Sequence, residues 1–118
     1  MADPVPVTVV ETPEFVSATR TLFSNEERSA LVDYLARHPT AGDLVPGAGG
    51  IRKLRWGVQG RGKRGGARVI YFYANPGWPV FAITAYAKNV RENLTQADCN
   101  DYRRLTKLLI ETYKRIHR

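Results

Sequence analysis

The sequence predicts an α+β fold, in which a small antiparallel sheet is flanked by an amino-terminal pair of helices and a carboxy-terminal helix. Apolar residues recur at helical spacing near both ends of the chain, whereas they alternate with a period of two from position 51 to position 58. A chain of 118 residues, 43% of them hydrophobic, suits one packed core. We therefore expect residues 1–118 to form a single domain.

The amino-terminal part is predicted to hold one strand and two helices. Residues 5–10 are rich in β-branched side chains, which favours a strand. Thr12 followed by Pro13 is typical of a helix start, with proline at the first helical position. Residues 24–27 (SNEE) form a capping-box pattern, and the apolar spacing after it predicts a second helix that ends before Pro39.

The central part is predicted to form three strands. Nine of the ten glycines lie between positions 42 and 66, which indicates tight turns or close backbone approach there. In the strand that begins at Ile51, we expect Leu54 and Trp56 on one face and Lys53 and Arg55 on the other. Residues 67–73 (ARVIYFY) and 80–86 (VFAITAY), joined by a turn, complete an antiparallel meander.

The carboxy-terminal part is predicted to form one long helix. Thr95 with Asp98 three positions later gives its capping pattern. An apolar stripe at helical spacing follows, which predicts that this helix packs on the sheet. The stripe consists of Tyr102, Leu105, Leu109, Tyr113 and Ile116.

The distribution of charge indicates an anionic partner. The chain has 18 basic and 11 acidic residues, a net charge of +7. Residues 1–43 have a net charge of −4, whereas residues 44–91 contain nine cations and no Asp or Glu. A surface that is only solvated normally mixes both signs, so this segment favours a polyanion such as nucleic acid. Cations that bind phosphates, tyrosines that stack on bases and glycines that allow close approach all suit RNA.

Several other classes of function do not fit the sequence. No apolar run is long enough to cross a bilayer and no signal peptide is recognisable at the start, so we expect a cytoplasmic protein with no membrane partner. Residues 57–63 (GVQGRGK) match the GxxxxGK part of a phosphate-binding loop, but Arg64 occupies the position that requires Ser or Thr. The motif also requires a helix directly after the loop, whereas a strand is predicted there. We therefore expect no nucleotide cofactor. The single cysteine and the acid-free basic segment also predict no metal site.

A basic surface of this kind becomes a ribonuclease if it drives attack of a ribose 2′-OH on the adjacent 3′-phosphate. The reaction needs a proton acceptor, stabilisation of the charged transition state and a proton donor for the leaving 5′-oxygen. Arginine meets the second need but is a poor acid or base. The proton transfers are therefore assigned to lysine or tyrosine, with Lys63, Lys88, Tyr71 and Tyr73 as the candidates.

Three stretches together resemble a known family. They are residues 49–55 (GGIRKLR), 60–73 (GRGKRGGARVIYFY) and 85–89 (AYAKN). In this order and spacing the chain resembles a toxin of the RelE/HigB type from a bacterial type II toxin–antitoxin module, and the resemblance covers nearly its whole length. It implies a RelE-like fold and a metal-independent endoribonuclease that cuts mRNA in the ribosomal A site and so inhibits translation. The implied partners are mRNA, the 70S ribosome and a cognate antitoxin, expected to be a DNA-binding protein of the helix-turn-helix type.

The resemblance also suggests roles for individual residues. Arg68 matches the arginine expected to stabilise the scissile phosphate, and Lys88 matches a basic residue at the end of the next strand. The expected catalytic set is Arg68, Lys63, Arg64, Tyr71, Tyr73 and Lys88. The expected RNA- and ribosome-binding set is Arg52, Lys53, Arg55, Arg61 and Arg91. Two alternatives stay open at this point: a non-catalytic RNA-binding module, and a degenerate toxin scaffold that binds a protein partner.

Overall fold

A computed structural model describes residues 5–57, 66–91 and 93–117 of the chain. The elements follow one another as β1 (Val9–Glu11), α1 (Pro13–Leu22), α2 (Asn25–Arg37), β2 (Asp43–Leu44), β3 (Ile51–Trp56), β4 (Ala67–Tyr73), β5 (Val80–Ala87) and α3 (Gln96–Ile116). This arrangement confirms the predicted α+β class, with a helical pair near the amino terminus and a helix at the other end.

The strands form one sheet in the order β1-β5-β4-β3-β2. Strands β3, β4 and β5 pair antiparallel as predicted, and β2 also pairs antiparallel with β3, but β1 pairs parallel with β5. The sheet is therefore mixed, and the expectation of a purely antiparallel sheet is wrong at this edge. A parallel neighbour requires a long crossover, and the whole chain from α1 to β4 lies between β1 and β5.

Each face of the sheet has its own core. On one face, α1 and α2 cover a cluster that includes Phe15, Leu35 and Val69. On the other face, α3 covers a cluster that includes Ile70 and Phe72. Strand β4 contributes alternately to both clusters and is buried from its first residue to Phe72, as expected for a central strand covered on both sides.

The predicted helix starts are confirmed by their capping bonds. The Thr12 hydroxyl accepts a hydrogen bond from the Phe15 amide at 3.1 Å and donates to the Ile83 carbonyl at 2.8 Å, so the cap also ties α1 to β5. Ser24 with Glu27, and Thr95 with Asp98, form reciprocal capping boxes. These side chains satisfy amide groups that would otherwise lack partners at the helix ends.

Three details differ from the sequence-based expectation: one strand boundary, the packing of one residue and one additional strand. The first strand begins at Val9, while Val5 is 86% exposed, because only the later residues pair with β5. Ile116 is 70% exposed and lies beyond the apolar stripe of α3 that packs on the sheet. Strand β2 was not predicted, since a strand of two residues in a glycine-rich segment gives no periodic signal.

We expect Tyr71→Phe to lower the free energy of unfolding by about 1–3 kcal/mol, since it leaves a buried amide without its partner. The Tyr71 side chain is fully buried, and its hydroxyl oxygen accepts a hydrogen bond from the Gly42 amide at 2.8 Å. Denaturant unfolding of the two proteins measures the difference. Tyr73→Phe is the control, because Tyr73 is only half-buried at the end of β4; equal losses for both variants would contradict the assignment.

Candidate active site

A cleft of about 370 Å³ opens at the end of the sheet where β3 and β5 end and β4 begins. Its floor carries side chains of β3 and β4, one wall is formed by β2 and the residues after it, and the other wall by the segment after β5. The lining residues are Asp43, Leu44, Val45, Pro46, Lys53, Arg55, Arg68, Lys88 and Asn93.

The strand register brings the floor cations together. Arg55 of β3 lies directly opposite Arg68 of β4, and side chains of paired residues point to the same face. Lys53, two positions before Arg55, shares that face as predicted. It is the face on which α3 packs further along the same strands, over Ile51 and Ile70.

Arg68 is the buried cation of the cleft, with only 8% of its surface exposed. Its guanidinium donates from Nη1 to the Ala67 carbonyl in a hydrogen bond that is long, at 3.4 Å. Within residues 5–57, 66–91 and 93–117, no carboxylate lies within 4.0 Å of it. A buried charge without a counter-charge costs several kcal/mol of stability. The guanidinium of Arg68 is therefore suited to binding an anionic ligand.

The other cations of the cleft are also free of ion pairs in the part of the chain that the structure describes. This holds for Lys53, Arg55 and Lys88. Four positive charges around a small volume create a potential that attracts phosphate groups. The cleft therefore has the electrostatics of a phosphate-binding site.

One carboxylate, which sequence reasoning missed, also lines the cleft. Asp43 of β2 lies opposite Lys53 of β3 in the antiparallel register. In the sequence it belongs to the acidic start, immediately before the acid-free segment, and so it was not counted as part of the basic site. The turn around Gly47 and Gly49 before β3 was the available signal, because a tight turn implies a returning strand on its other side.

The structure does not bring the two predicted tyrosines into the cleft. Tyr71 and Tyr73 alternate with Arg68 along β4 and so lie on the opposite face, packed in the cluster under α1 and α2. Burial raises the pKa of Tyr71. Proton transfer by either tyrosine, or stacking of either on a base, does not fit these positions.

Tyr86 is the tyrosine that pairs with Arg68, from the neighbouring strand β5. The β4–β5 pairing contains a bulge between Ile70 and Tyr71, which shifts the register by one residue. Because of this shift, Arg68 lies opposite Tyr86. The Tyr86 hydroxyl is buried and has no hydrogen-bond partner among the residues described. Burial raises its pKa, an effect opposed by the charges of Arg68 and Arg91.

Arg52, predicted to contact RNA, points away from the cleft. Its Nη1 donates to the carbonyl of Thr40 at 3.1 Å and to that of Gly42 at 2.7 Å. These bonds tie the segment between α2 and β2 to strand β3. Arg52 therefore helps to hold the segment that leads into β2, while its contact with RNA stays a prediction.

Arg91 is engaged at the side of the cleft. Its Nη1 donates to Asp98 Oδ2 at 2.9 Å, and its guanidinium lies 5.8 Å from the centre of the Tyr86 ring. The same Asp98 oxygen accepts the Thr95 amide at 2.8 Å. Arg91 thus ties the segment that carries Lys88 to the first turn of α3.

The remaining predicted site residues, Arg61, Lys63 and Arg64, lie outside the described residues. No aromatic side chain lines the cleft among the residues that are described, and its apolar surface comes from the aliphatic residues Leu44, Val45 and Pro46. A larger, mainly apolar hollow of about 490 Å³ lies at the opposite end of β5, against Trp78 and Tyr113, and contains none of the predicted site residues.

The sequence matches a model of a protein family described as the RelE toxin of the RelE/RelB toxin–antitoxin system, over residues 18–116. All lining residues of the cleft fall within the matched range. Among the described residues, no helix is both long and apolar enough to span a bilayer.

We expect Arg91→Ala to raise the pKa of Asp98 part of the way back to its ordinary value of 3.8. The hydrogen bond from the Thr95 amide is the larger cause of the lowered pKa and stays, whereas the contribution of Arg91 is lost. An NMR titration of the Asp98 carboxyl group measures both values. The control is Arg104→Ala, which removes an exposed cation paired with Asp101 on the same helix.

The sign of the effect on stability follows from the direction of this shift. A carboxyl group with a lowered pKa in the folded state stabilises the protein above its unfolded pKa, and this contribution is lost as the pH falls through the folded pKa. The stability difference between wild type and Asp98→Asn should therefore shrink on acidification below about pH 4. A difference that grows on acidification would contradict the assignment.

Proposed function

Because the chain belongs to the RelE toxin family, we propose that it is an endoribonuclease that cleaves mRNA in the A site of the translating ribosome, without a metal ion. The observation that carries this proposal is Arg68: a guanidinium 8% exposed, without a carboxylate partner among the described residues, in a cleft with three further cations. Such a site suits a phosphate that gains charge during a reaction.

In the proposed reaction the ribose 2′-oxygen attacks the adjacent phosphorus and the bond from phosphorus to the 5′-oxygen breaks. Arg68 and Arg55 hold the non-bridging phosphate oxygens, because a guanidinium offers paired donors to such an anion. Lys88 on the opposite wall supplies the proton that the 5′-oxygen takes up as it leaves. Lys53 adds positive charge beside the transition state.

Contacts to the bases are assigned to a different surface from the one expected from the sequence. Since Tyr71 and Tyr73 belong to the core on the other face, the aliphatic wall that includes Val45 and Pro46 provides the apolar contact for a base. Arg61 stays assigned to RNA and ribosome contacts, and Lys63 and Arg64 stay in the expected catalytic set, with Lys63 as a candidate for proton transfer, on the strength of their charge and the family resemblance.

The family also implies a cognate RelB-type antitoxin as a partner. We propose that this antitoxin is a DNA-binding protein of the helix-turn-helix type and that it neutralises the toxin in the cytoplasm. Co-expression of the two proteins tests this, because it should yield a complex without ribonuclease activity.

We expect Arg68→Ala to slow mRNA cleavage at least about 100-fold, which is the loss typical of removing one donor to a transition-state oxyanion. Its stability should stay equal or rise, because the substitution removes a buried unpaired charge. The assay is cell-free translation followed by mapping of new 5′-hydroxyl ends on the mRNA. Arg20→Ala, at the exposed end of α1, is the matched control.

The same assay distinguishes the rival functions. RNA binding by the wild type without new 5′-hydroxyl ends would identify a non-catalytic RNA-binding module. A wild type that neither cuts mRNA nor arrests growth when expressed without an antitoxin would identify a degenerate scaffold. Full activity of Arg68→Ala would show that the phosphate is bound elsewhere.

We expect RNA binding to weaken steeply with salt, and Lys53→Ala or Lys88→Ala to reduce the slope of log K against log salt by about 0.7 each. Each substitution removes one contact to a phosphate and hence one released counterion. Fluorescence anisotropy with a labelled single-stranded RNA measures the slope. Lys107→Ala, on the exposed side of α3, should leave it unchanged; equal slopes for all four proteins would contradict the placement of RNA in the cleft.

A further inference from the structure

The cations of the cleft leave one requirement of the proposed reaction unmet. Attack by the ribose 2′-oxygen requires a group that accepts the hydroxyl proton. Arginine does not lose its proton in proteins, and a lysine ammonium has three donors and no acceptor, so it must first lose a proton before it can take one up. The two histidines are elsewhere: His38 ends α2 beside Tyr34, and His117 follows α3 against Tyr113.

Asp43 is placed where such an acceptor is needed. It lines the cleft together with Arg55, Arg68 and Lys88, and no other carboxylate does so among the described residues. It is exposed to solvent, and no cation of the described residues lies within 4.0 Å of it. Its oxygens are therefore available to a bound ligand rather than committed to an ion pair.

The position of Asp43 is fixed by backbone pairing. Strand β2 pairs with β3, and the continuation of that pairing includes a hydrogen bond from the Val45 amide to the Ile51 carbonyl at 2.9 Å. On the other side, Arg52 holds the carbonyl of Gly42, the residue before Asp43. These contacts fix the main chain at Asp43 before the ligand arrives, and so limit where its carboxylate can lie.

A negative charge at this place is unfavourable for phosphate binding alone. The carboxylate repels the phosphate that the four cations attract, so a surface that served only to bind RNA would gain affinity from its removal. Proton abstraction, by contrast, needs a group that can take up a proton, and a carboxylate is such a group.

Resting on the proposed ribonuclease function, we propose that the Asp43 carboxylate is the catalytic base of this site. It takes the proton of the 2′-OH as the 2′-oxygen forms its bond to phosphorus. The bond from phosphorus to the 5′-oxygen breaks with its electron pair going to that oxygen, which is protonated by Lys88. The products are a 2′,3′-cyclic phosphate and a 5′-hydroxyl. Asp43 then releases its proton to solvent and Lys88 takes one up from solvent.

The charged and titratable groups around Asp43 come from every neighbouring element. They are Lys53 and Arg55 of β3, Arg68 of β4, Lys88 after β5, and, through the sheet, Arg52 and Tyr71. The raised pKa of Tyr71 is due mainly to burial, with a contribution from the charge of Asp43, which places the two groups within electrostatic range.

The test compares wild type, Asp43→Asn and Asp43→Glu in single-turnover cleavage of mRNA on stalled ribosomes, over a range of pH. We expect Asp43→Asn to lower the rate at saturation by about 100-fold or more, the usual contribution of a general base. Its affinity for RNA should be equal or higher, since a repulsive charge is gone. In Asp43→Asn, the decrease of the cleavage rate at acidic pH should disappear. Asp43→Glu, which keeps a carboxylate, should retain part of the wild-type rate.

Asp33→Asn is the matched control, because it makes the same chemical change at an exposed aspartate paired with Arg37 on α2. Thermal unfolding of each variant shows whether it is folded. If Asp43→Asn is not, the rate of Asp43→Glu decides, because retention of part of the rate supports the assignment and the full wild-type rate contradicts it. A folded Asp43→Asn that cuts at the wild-type rate, or that loses RNA affinity instead of rate, overturns the assignment while the proposed function stands. Absence of cleavage by the wild type overturns both.

Discussion

The burial of strand β4 on both faces is the constraint on which the rest of the structure depends. Its residues from Ala67 to Phe72 are all enclosed, and the two cores of the protein meet across it. Every residue of the strand is consequently committed to one face by the pleat. Arg68, the charged residue of β4, is therefore buried by the packing of the strand, although an arginine side chain prefers to be exposed to water.

The cleft stores electrostatic free energy in its empty form. Arg55 and Arg68 are cross-strand neighbours, and like charges in directly opposite positions destabilise a sheet. The apolar contacts of Ile51 and Ile70 further along the same strands offset that cost. The repulsion is relieved when an anion lies between the cations. The same arrangement of charges therefore destabilises the protein without a ligand and increases its affinity for an anion.

Much of the fold could be predicted from the sequence because its signals are local. The capping boxes at Ser24 and Thr95 were readable from four consecutive residues, and the alternation in β3 placed Lys53 and Arg55 on a common face. The alternation along β4 is itself enough to separate Tyr71 and Tyr73 from Arg68. Local reading ends at the pairing between strands, which decides that the Arg68 face of β4 is also the face of Lys53 and Arg55.

The other differences have the same origin in long-range pairing. The parallel match of β1 with β5 depends on residues about 70 positions apart, as in the pair Val9 and Val80. Asp43 lies in the basic cleft because the two-residue strand β2 pairs it with Lys53 of β3. In the sequence it belongs to the acidic segment 1–43. Charge along the chain located the cations, whereas the carboxylate among them was found only from the register.

The shortness of the two edge strands has a consequence for the behaviour of the protein in concentrated solution. An open sheet edge is a template for pairing with another chain, and proteins limit this with short edges and charged side chains. Here the edges are β2, with two residues, and β1, with three, and each carries an acid, Asp43 and Glu11 respectively. The sheet therefore resists edge-to-edge aggregation without needing a partner to cover it.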